Sequence, residues 1–532
     1  MTSLDWIIIF VYLCGIILMG LYMGRREETT EDYFLGGRAI PWWAATLSMV
    51  ATEISAATFL GAPEQGYTRD LTYLQFGIGS ILARFVLAFL FIGIFYRLGV
   101  FTVYGFLGFR FGFPTRASAA GAFLLGRLFA GGSRLFIASL AVKVITGYSM
   151  TMSIMVLGSI AIGYTLFGGI KAVIWTDVIQ GIILILAAVL SVNSLLNAIP
   201  LDGGEIMAYL QENAKLRLFD TSVYDDSGGR ALFSNAYHFI PAVLGGFFLT
   251  MATHGTDQSM IQRMLTCRDS LQGKWSMVLS GFLGIGVTGI FMLVGLLLFV
   301  YVGTSGDDPA LVTLAHDLAD KGKNGDFFLY YIMMGLPDGI TGIIIAAVIA
   351  AAMSSIDSEL NAMSSAVVND FYKPLFNPEG DEDTFLNMAR VGTLICGVFL
   401  VGAALAIARY YDQNPHTDLL SIALGVMTLF YGGLLGIFLV GLLTRARGNN
   451  HTCIAGLLFS TLAIVLVSYK AKLLPLLGLY DPILDSGPLA WLYHFKLAWP
   501  WFIIIGTGVS FFVAILGMTL EKVVERYQEE IF

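Results

Sequence analysis

Apolar residues run almost unbroken over positions 4–23, about the length a helix needs to cross a bilayer. The same pattern recurs along the chain. It predicts thirteen membrane-spanning helices, over 4–23, 41–62, 72–97, 117–147, 151–169, 175–199, 236–254, 275–303, 339–369, 386–408, 416–442, 451–469 and 497–520. The flanking charges orient them. A cleaved signal peptide carries its basic residues before the apolar run; here Asp5 precedes it and Arg25 and Arg26 follow. The N-terminus is therefore expected outside, with residues 24–40 in the cytoplasm. Alternate connections then carry Arg38, then Arg97, Arg110 and Arg116, then Lys171, then Arg263, Arg268 and Lys274, then Arg445 and Arg447. The opposite side receives the acidic stretches 200–235 and 304–326. One expected cytoplasmic connection, with Glu379, Asp381, Glu382 and Asp383, runs against the trend, but acidic residues weigh little in the rule. The tail, with Lys522 and Arg526, is expected inside.

Composition agrees with the pattern. Hydrophobic residues make up 57% of the 532 positions and charged residues 13%, against about 25% charged in soluble proteins. Such a chain needs the lipid bilayer as its main solvent. A soluble multidomain enzyme, a disordered protein and a disulfide scaffold are excluded. The net charge of −8 argues against a nucleic-acid partner. Cys14, Cys267, Cys396 and Cys453 form no CxxC pair, and no nucleotide loop, HExxH or nucleophile elbow is present, so no enzyme is expected.

Several spans are interrupted by chemistry that a plain anchor lacks. The second runs through Ala51-Thr52-Glu53-Ile54-Ser55-Ala56-Ala57-Thr58, and the seventh ends Thr253-His254-Gly255-Thr256-Asp257-Gln258. Broken helices in corresponding places of two halves are the sequence sign of an inverted-repeat transporter; a re-entrant loop or a packing irregularity is the plainer alternative. In the ninth span, positions 351, 354, 355 and 358 share one helical face, and Ser354, Asp357, Ser358 and Asn361 form an adjoining stripe of oxygens. Close packing of small residues explains much of this stretch, but a carboxylate inside a span is costly and points to function. Asp177 falls about one turn into the sixth span, where it reads equally as a helix N-terminal acid. His254 reads as a packed or cavity-lining residue.

Together these residues resemble the sodium:solute symporter family, relatives of the sodium–glucose cotransporters. The resemblance rests on Thr30-Glu31-Asp32-Tyr33-Phe34-Leu35-Gly36-Gly37-Arg38 with Pro41-Trp42-Trp43, on Gly169 through Gln180, on Thr256-Asp257-Gln258 with Gln262-Arg263, and on Ser354-Ser355 followed by Asn369-Asp370-Phe371-Tyr372. It covers about residues 4–445. It implies an all-α, multi-pass membrane fold of LeuT-like type, with inverted five-helix repeats over 41–199 and 236–442 and discontinuous first and sixth core helices. Residues 1–40 then hold an extra N-terminal helix and a cytoplasmic connection, 200–235 an extracellular connection, and 443–532 the C-terminal extra helices. It also implies sodium-coupled import of a small polar solute by alternating access, in a plasma membrane such as the bacterial inner membrane. Carried onto this chain, a primary Na⁺ site would use the carbonyls of Ala51, Ile54 and Ala351 and the hydroxyls of Ser354 and Ser355. The resemblance is closest in site pattern to bacterial sialic acid/sodium symporters, some of which hold a second Na⁺. Here that second site would fall on Asp177, Ser354, Asp357 and Ser358, with Asp357 a carboxylate where a serine is expected.

Arg134 is the sharpest clue to the solute. It lies thirteen residues from Gly147, roughly 20 Å below the outer end of its span. A buried guanidinium needs a planar acceptor, either a solute carboxylate or a protein partner such as Glu53. The resemblance adds Glu53, Ser55, Thr58, Gln75, Asp257 and Gln258 as candidate solute contacts and favours a carboxylate-bearing cargo, sialic acid or another organic acid. A sugar or polyol symporter is the alternative within the family; a sodium channel or a membrane sensor are the alternatives outside it. A tenfold sodium gradient supplies about 1.4 kcal/mol and 100 mV about 2.3 kcal/mol per charge. One sodium carried with a monoanion uses only the first, so a second cation would be useful to such a transporter.

Overall fold

The computed structural model describes residues 1–23, 29–225, 229–304, 309–320, 324–413, 419–479 and 485–519. Arg25, Arg26, Lys522 and Arg526, which help to set the expected orientation, lie outside the described residues, as does part of the acidic stretch 304–326. The described residues are helical, with isolated bridges such as Ile40 with Cys267 and no strands. Among them nine helices are long and apolar enough to cross a membrane, or ten with the bent pair Trp42–Glu53 and Thr58–Thr68 taken as one span. The three remaining expected spans coincide with shorter apolar helices, Met150–Gly163, Met427–Leu443 and Pro500–Ile515. Large apolar side chains stay uncovered on many of these helices, among them Phe10, Phe89, Phe399 and Phe512, as a lipid-facing surface requires.

The chain divides into two units. The first comprises Met1–Leu74, Arg127–Leu218 and Gln258–Leu424, the second Gln75–Gly126, Phe219–Asp257 and Gly425–Phe532.

At the centre of the first unit lies the serine helix, Ile340–Ala366, most of whose residues are buried although it carries Ser354, Ser355, Asp357, Ser358, Glu359 and Asn361. It runs on into a π-helical turn, Val367–Tyr372. Its N-terminus is capped from far away in sequence. The Asp5 carboxylate accepts the N–H groups of Gly339 at 2.8 Å and Gly342 at 2.9 Å, where unsatisfied donors and the helix dipole favour a negative charge. The expected spans 151–169 and 175–199 follow each other directly, as the helices Met150–Gly163 and Gly168–Ala198. At the kink between them Gly169 is non-helical, with φ 47° and ψ −172°, a φ that glycine adopts without a Cβ penalty. Just past the kink, Lys171 pairs with Asp32 at 3.0 Å.

The second interrupted span is two helices, Trp42–Glu53 and Ala56–Thr68, bent by 59°. Its second half packs against the helix Ser270–Thr304 through a pair of glycines. A Cβ on Gly66 would sit 2.3 Å from the Met292 carbonyl oxygen, and one on Gly295 would sit 2.0 Å from that of Pro63. Beyond this half, Lys215 donates to the Tyr67 and Arg69 carbonyls, 2.7 Å each, while lying over the Phe299 ring. Burial pulls its ammonium down to about 8, against the opposing pull of Asp70.

In the second unit the helices Gln75–Leu90 and Phe239–Gly255 meet in the same way, a Cβ on Gly79 falling 2.0 Å from the Val243 carbonyl oxygen. Arg110, expected as a cytoplasmic surface charge, is instead buried. It donates to the carbonyls of Thr444, Arg445 and Arg447 and to the Thr519 hydroxyl, satisfying backbone acceptors of the segment that follows the helix ending at Leu443.

The glycine contact gives a direct test. Gly295→Ala should cost about 1–3 kcal/mol through overpacking and lower the melting temperature in detergent. Gly286→Ala, on the same helix with nothing within 4 Å of its Cβ position, should stay within about 0.5 kcal/mol of the parent. Equal melting temperatures for the two variants would contradict the packing described.

Candidate functional site

The break in the second span releases backbone acceptors, and each released group can be followed. In a continuous helix the carbonyls of Ala51, Thr52 and Glu53 would accept the N–H groups of Ser55, Ala56 and Ala57. Ile54 leaves the helical conformation, with ψ 71°, and its N–H closes the last regular bond, to Val50, at 2.9 Å. Ser55 is extended. These three carbonyls all meet hydroxyls, while Ile54 O loses its helical donor as well, because the Thr58 N–H turns to Ser55 O at 2.9 Å. Ser354 Oγ donates to Ala51 O at 3.0 Å, Ser355 Oγ to Thr52 O at 3.2 Å, and Thr58 Oγ1 to Glu53 O at 3.3 Å. Both serines also reach the Ala351 carbonyl of their own helix, at 3.2 and 3.3 Å.

Four of the five expected primary-site groups are thus in hydrogen-bond contact: the Ala51 and Ala351 carbonyls and the two hydroxyls. Ile54 stands buried at the break itself. The Thr52 carbonyl is an oxygen that sequence reasoning missed, although the break frees it as surely as that of Ala51. The donor set is all oxygen and carries no formal charge. It suits a hard monovalent cation held weakly enough to be released.

Around Asp177 the structure differs from the expectation. The helix after the kink begins at Gly168, so Asp177 lies more than two turns inside it and fully buried, beyond the first turn where a helix N-terminus favours an acid. Its Oδ2 accepts from Ser48 Oγ at 2.5 Å and from Arg263 Nη2 at 2.9 Å. Arg263, counted by position among the cytoplasmic basic residues, has a fully buried side chain. It also donates from Nε to Ser48 Oγ at 2.7 Å, from Nη1 to Ser259 O at 2.6 Å, and from Nη2 to Ser358 Oγ. A guanidinium therefore lies between Asp177 and Ser358, two of the four residues expected to hold a second Na⁺. Ser354 accepts on its carbonyl from the Ser358 hydroxyl, and Asp357 Oδ1 accepts from the Ser358 N–H at 2.7 Å. Nearby, Gln262 donates to Phe34 O at 2.6 Å and to Asn361 Oδ1 at 2.8 Å.

Arg134 finds a carboxylate, and it is Glu359. Arg134 Nη1 lies 2.5 Å from Glu359 Oε1, and Arg127 Nη1 lies 2.8 Å from the same oxygen. The argument that singles out Asp357 in the sequence applies equally to Glu359, one turn past Ser355. Glu53 ends the first half of the broken span, with Oε2 3.3 Å from where a Gly284 Cβ would be. Gln258 is fully buried in the first unit. The other two expected solute contacts belong to the second unit. There Gln75 is fully buried, its amide donating to Tyr237 O at 2.9 Å and its carbonyl accepting from the Asp220 N–H at 3.4 Å. Asp257 accepts the Tyr431 hydroxyl. The helix Phe239–Gly255 ends there and the next begins at Gln258, an interruption at the expected place.

The fold and these interrupted helices define a multi-pass membrane transporter of LeuT-like type, not an enzyme. The chain belongs to the sodium:solute symporter family, whose model matches residues 33–459. It is 29% identical over 474 residues to the sodium/sialic acid symporter SiaT of Proteus mirabilis, covering 88% of this chain and 90% of that one. It is 27% identical over 482 residues to the sodium/glucose cotransporter of Vibrio parahaemolyticus, covering 86% and 85%. Among solved structures it resembles a substrate-bound, outward-open sodium-coupled sialic acid symporter, with TM-score 0.79 and 24% identity over 97% of this chain and 99% of that one. Sodium and a small solute are accordingly its partners.

Removing the buried guanidinium tests its pairing. Arg263→Gln leaves the Asp177 charge uncompensated and should cost about 3–5 kcal/mol, read as a lower melting temperature. NaCl should recover part of that loss and equimolar choline chloride none. A variant as stable as the parent in choline would show that Arg263 is not the charge partner of Asp177.

Proposed function

We propose that this protein imports a carboxylate-bearing solute, sialic acid or another small organic acid, together with one sodium ion by alternating access. On this reading it works in a plasma membrane, bacterial inner membrane in type, surrounded by the lipid bilayer and independent of nucleic acid. Its N-terminus is outside and its C-terminus inside, and residues 41–199 and 236–442 form the two inverted repeats. The observation that carries the reading is the pairing of two serine hydroxyls with carbonyls freed by a broken helix. A hydroxyl is both donor and acceptor. Ser354 and Ser355 can rotate their protons away and offer lone pairs, so that sodium takes over the acceptors they now satisfy: Ala51, Ile54 and Ala351, with Thr52 alongside. The ion then holds the broken helix against the serine helix, and its release frees the two to part.

The carboxylate preference draws on Arg134 and on the sialic acid symporters among the relatives. Arg134 keeps 11% of its side-chain surface exposed while Glu359 keeps none, so it is the accessible end of the pair. Glu53, Ser55, Thr58 and Gln258 would complete the contacts within the first unit. The Arg263 guanidinium supplies a fixed positive charge between Asp177 and Ser358. It therefore stands where Asp177, Ser354, Asp357 and Ser358 would otherwise take a second sodium. One sodium with one monoanion moves no net charge.

Uptake into proteoliposomes, after screening acids, sugars and amino acids by thermal shift in sodium and in potassium, tests each part. An acid should bind and be taken up only in sodium, at a rate unaffected by a potassium-diffusion potential. Ser355→Ala should reduce the apparent sodium affinity by about tenfold or more, the equivalent of ~1.4 kcal/mol for a lost ligand. Arg134→Ala should abolish acid uptake. Uptake of a neutral sugar alone would replace the acid reading, uptake driven by potential would require a second cation, and sodium dependence unchanged in Ser355→Ala would overturn the ion site.

A further inference from the structure

The serine helix carries two functional ends one turn apart. Ser354 and Ser355 meet the broken helix; Glu359, four residues past Ser355 and on the same face, meets the arginines. Between them the helix is unbroken, so the two contacts move as one body. Glu359 is fully buried, and its Oε1 takes both Arg127 Nη1 and Arg134 Nη1. Its Oε2 is buried without a hydrogen-bond partner. The carboxylate is pressed into the helix Phe113–Thr146, which carries both arginines, at Gly131, where a Cβ would lie 2.1 Å from Oε2. Arg127 and Arg134 are seven residues apart, two turns, and so share a face. Arg127 is anchored further by donating to Ser259 Oγ at 2.5 Å.

We propose that Glu359 is the positioning residue that couples the ion to the solute: it transmits the placement of the serine helix, which sodium sets through Ser354 and Ser355, to the guanidinium of Arg134. The inference rests on the sodium site proposed above but not on the identity of the solute. The contact suits this role because it is short, charge-assisted and shielded from water, so a small displacement of the serine helix is not absorbed by solvent or by a flexible side chain. Arg134 Nη1 is held while part of its side chain remains exposed, which lets the same residue be aimed by Glu359 and still contact cargo. A glutamate held by two arginines solely for stability would contribute to folding and leave sodium and solute independent.

Hydrogen–deuterium exchange on the full-length protein in detergent, in NaCl against KCl and without solute, separates these roles. In the parent, sodium should slow exchange in peptides covering 351–359 and also in those covering 127–140. In Glu359→Gln the protection of 351–359 should remain and that of 127–140 should disappear, and Glu359→Asp should restore part of it. If Glu359→Gln fails to fold, Arg134→Gln cuts the other end of the contact and must give the same loss. Sodium protection of 127–140 that persists in these variants overturns the proposal. A second arm uses sialic acid as probe: sodium should raise its affinity about tenfold in the parent and leave it nearly unchanged in Glu359→Gln. A parent that binds no sialic acid yet shows the full exchange pattern contradicts sialic acid as the cargo and supports the coupling.

Discussion

A helix interrupted inside a membrane has to place the carbonyls it frees, because lipid offers them no partner. That constraint organises the first unit. Ala51, Thr52 and Glu53 lose their helical donors at Ile54, and the hydroxyls of Ser354, Ser355 and Thr58 replace them. Two of these hydroxyls come from another helix more than 300 positions away in sequence, so satisfying the break brings the broken segment and the serine helix together. The same atoms that repair the backbone suit a weakly held sodium ion. On the proposed reading, structural repair and ion binding would compete for one set of oxygens, and an ion could thereby switch the contact between two helices.

Two buried carboxylates nearby meet guanidinium groups. Asp177 is answered by Arg263, and Glu359 by Arg127 and Arg134. Even Asp5, at the far end of the serine helix, is held by two backbone N–H groups. In a low dielectric, removing one partner is far more costly than the pair is worth. These pairs therefore fix where helices sit rather than add much net stability. The serine helix takes part in several of them and carries little free surface, as expected of the element on which ion and solute would both act.

Much of this was legible in the sequence because membrane insertion leaves strong signals. The spans follow from apolar runs, and the break at Ala51–Thr58 follows from a carboxylate and hydroxyls where large apolar residues are expected. Helical spacing puts Ser354 and Ser355 on one face, and the family resemblance implies their role at an ion. What could not be read was which charges meet. Arg263 follows a broken helix and counts with the cytoplasmic basic residues by position alone, yet it folds inward onto Asp177, 86 positions away. Glu359 stands beside Asp357 in the sequence, but nothing local distinguishes it from Glu53 or a solute carboxylate as the partner of Arg134. Gly169 reads as the end of a span, and the backbone does break there, but with the next helix following at once and no connecting loop. These are long-range pairings and backbone angles, set by packing that no local pattern encodes.

The central claim is that sodium, by itself, binds the oxygens shared between the broken helix and the serine helix. Titrating the purified protein with NaCl at constant ionic strength in choline, without solute, and following its thermal stability tests this most directly. The account predicts a saturable rise in stability with sodium, consistent with a single site, absent with potassium and lost when Ser354 and Ser355 are both replaced by alanine. A rise that is the same for potassium, or that survives the double replacement, would contradict it.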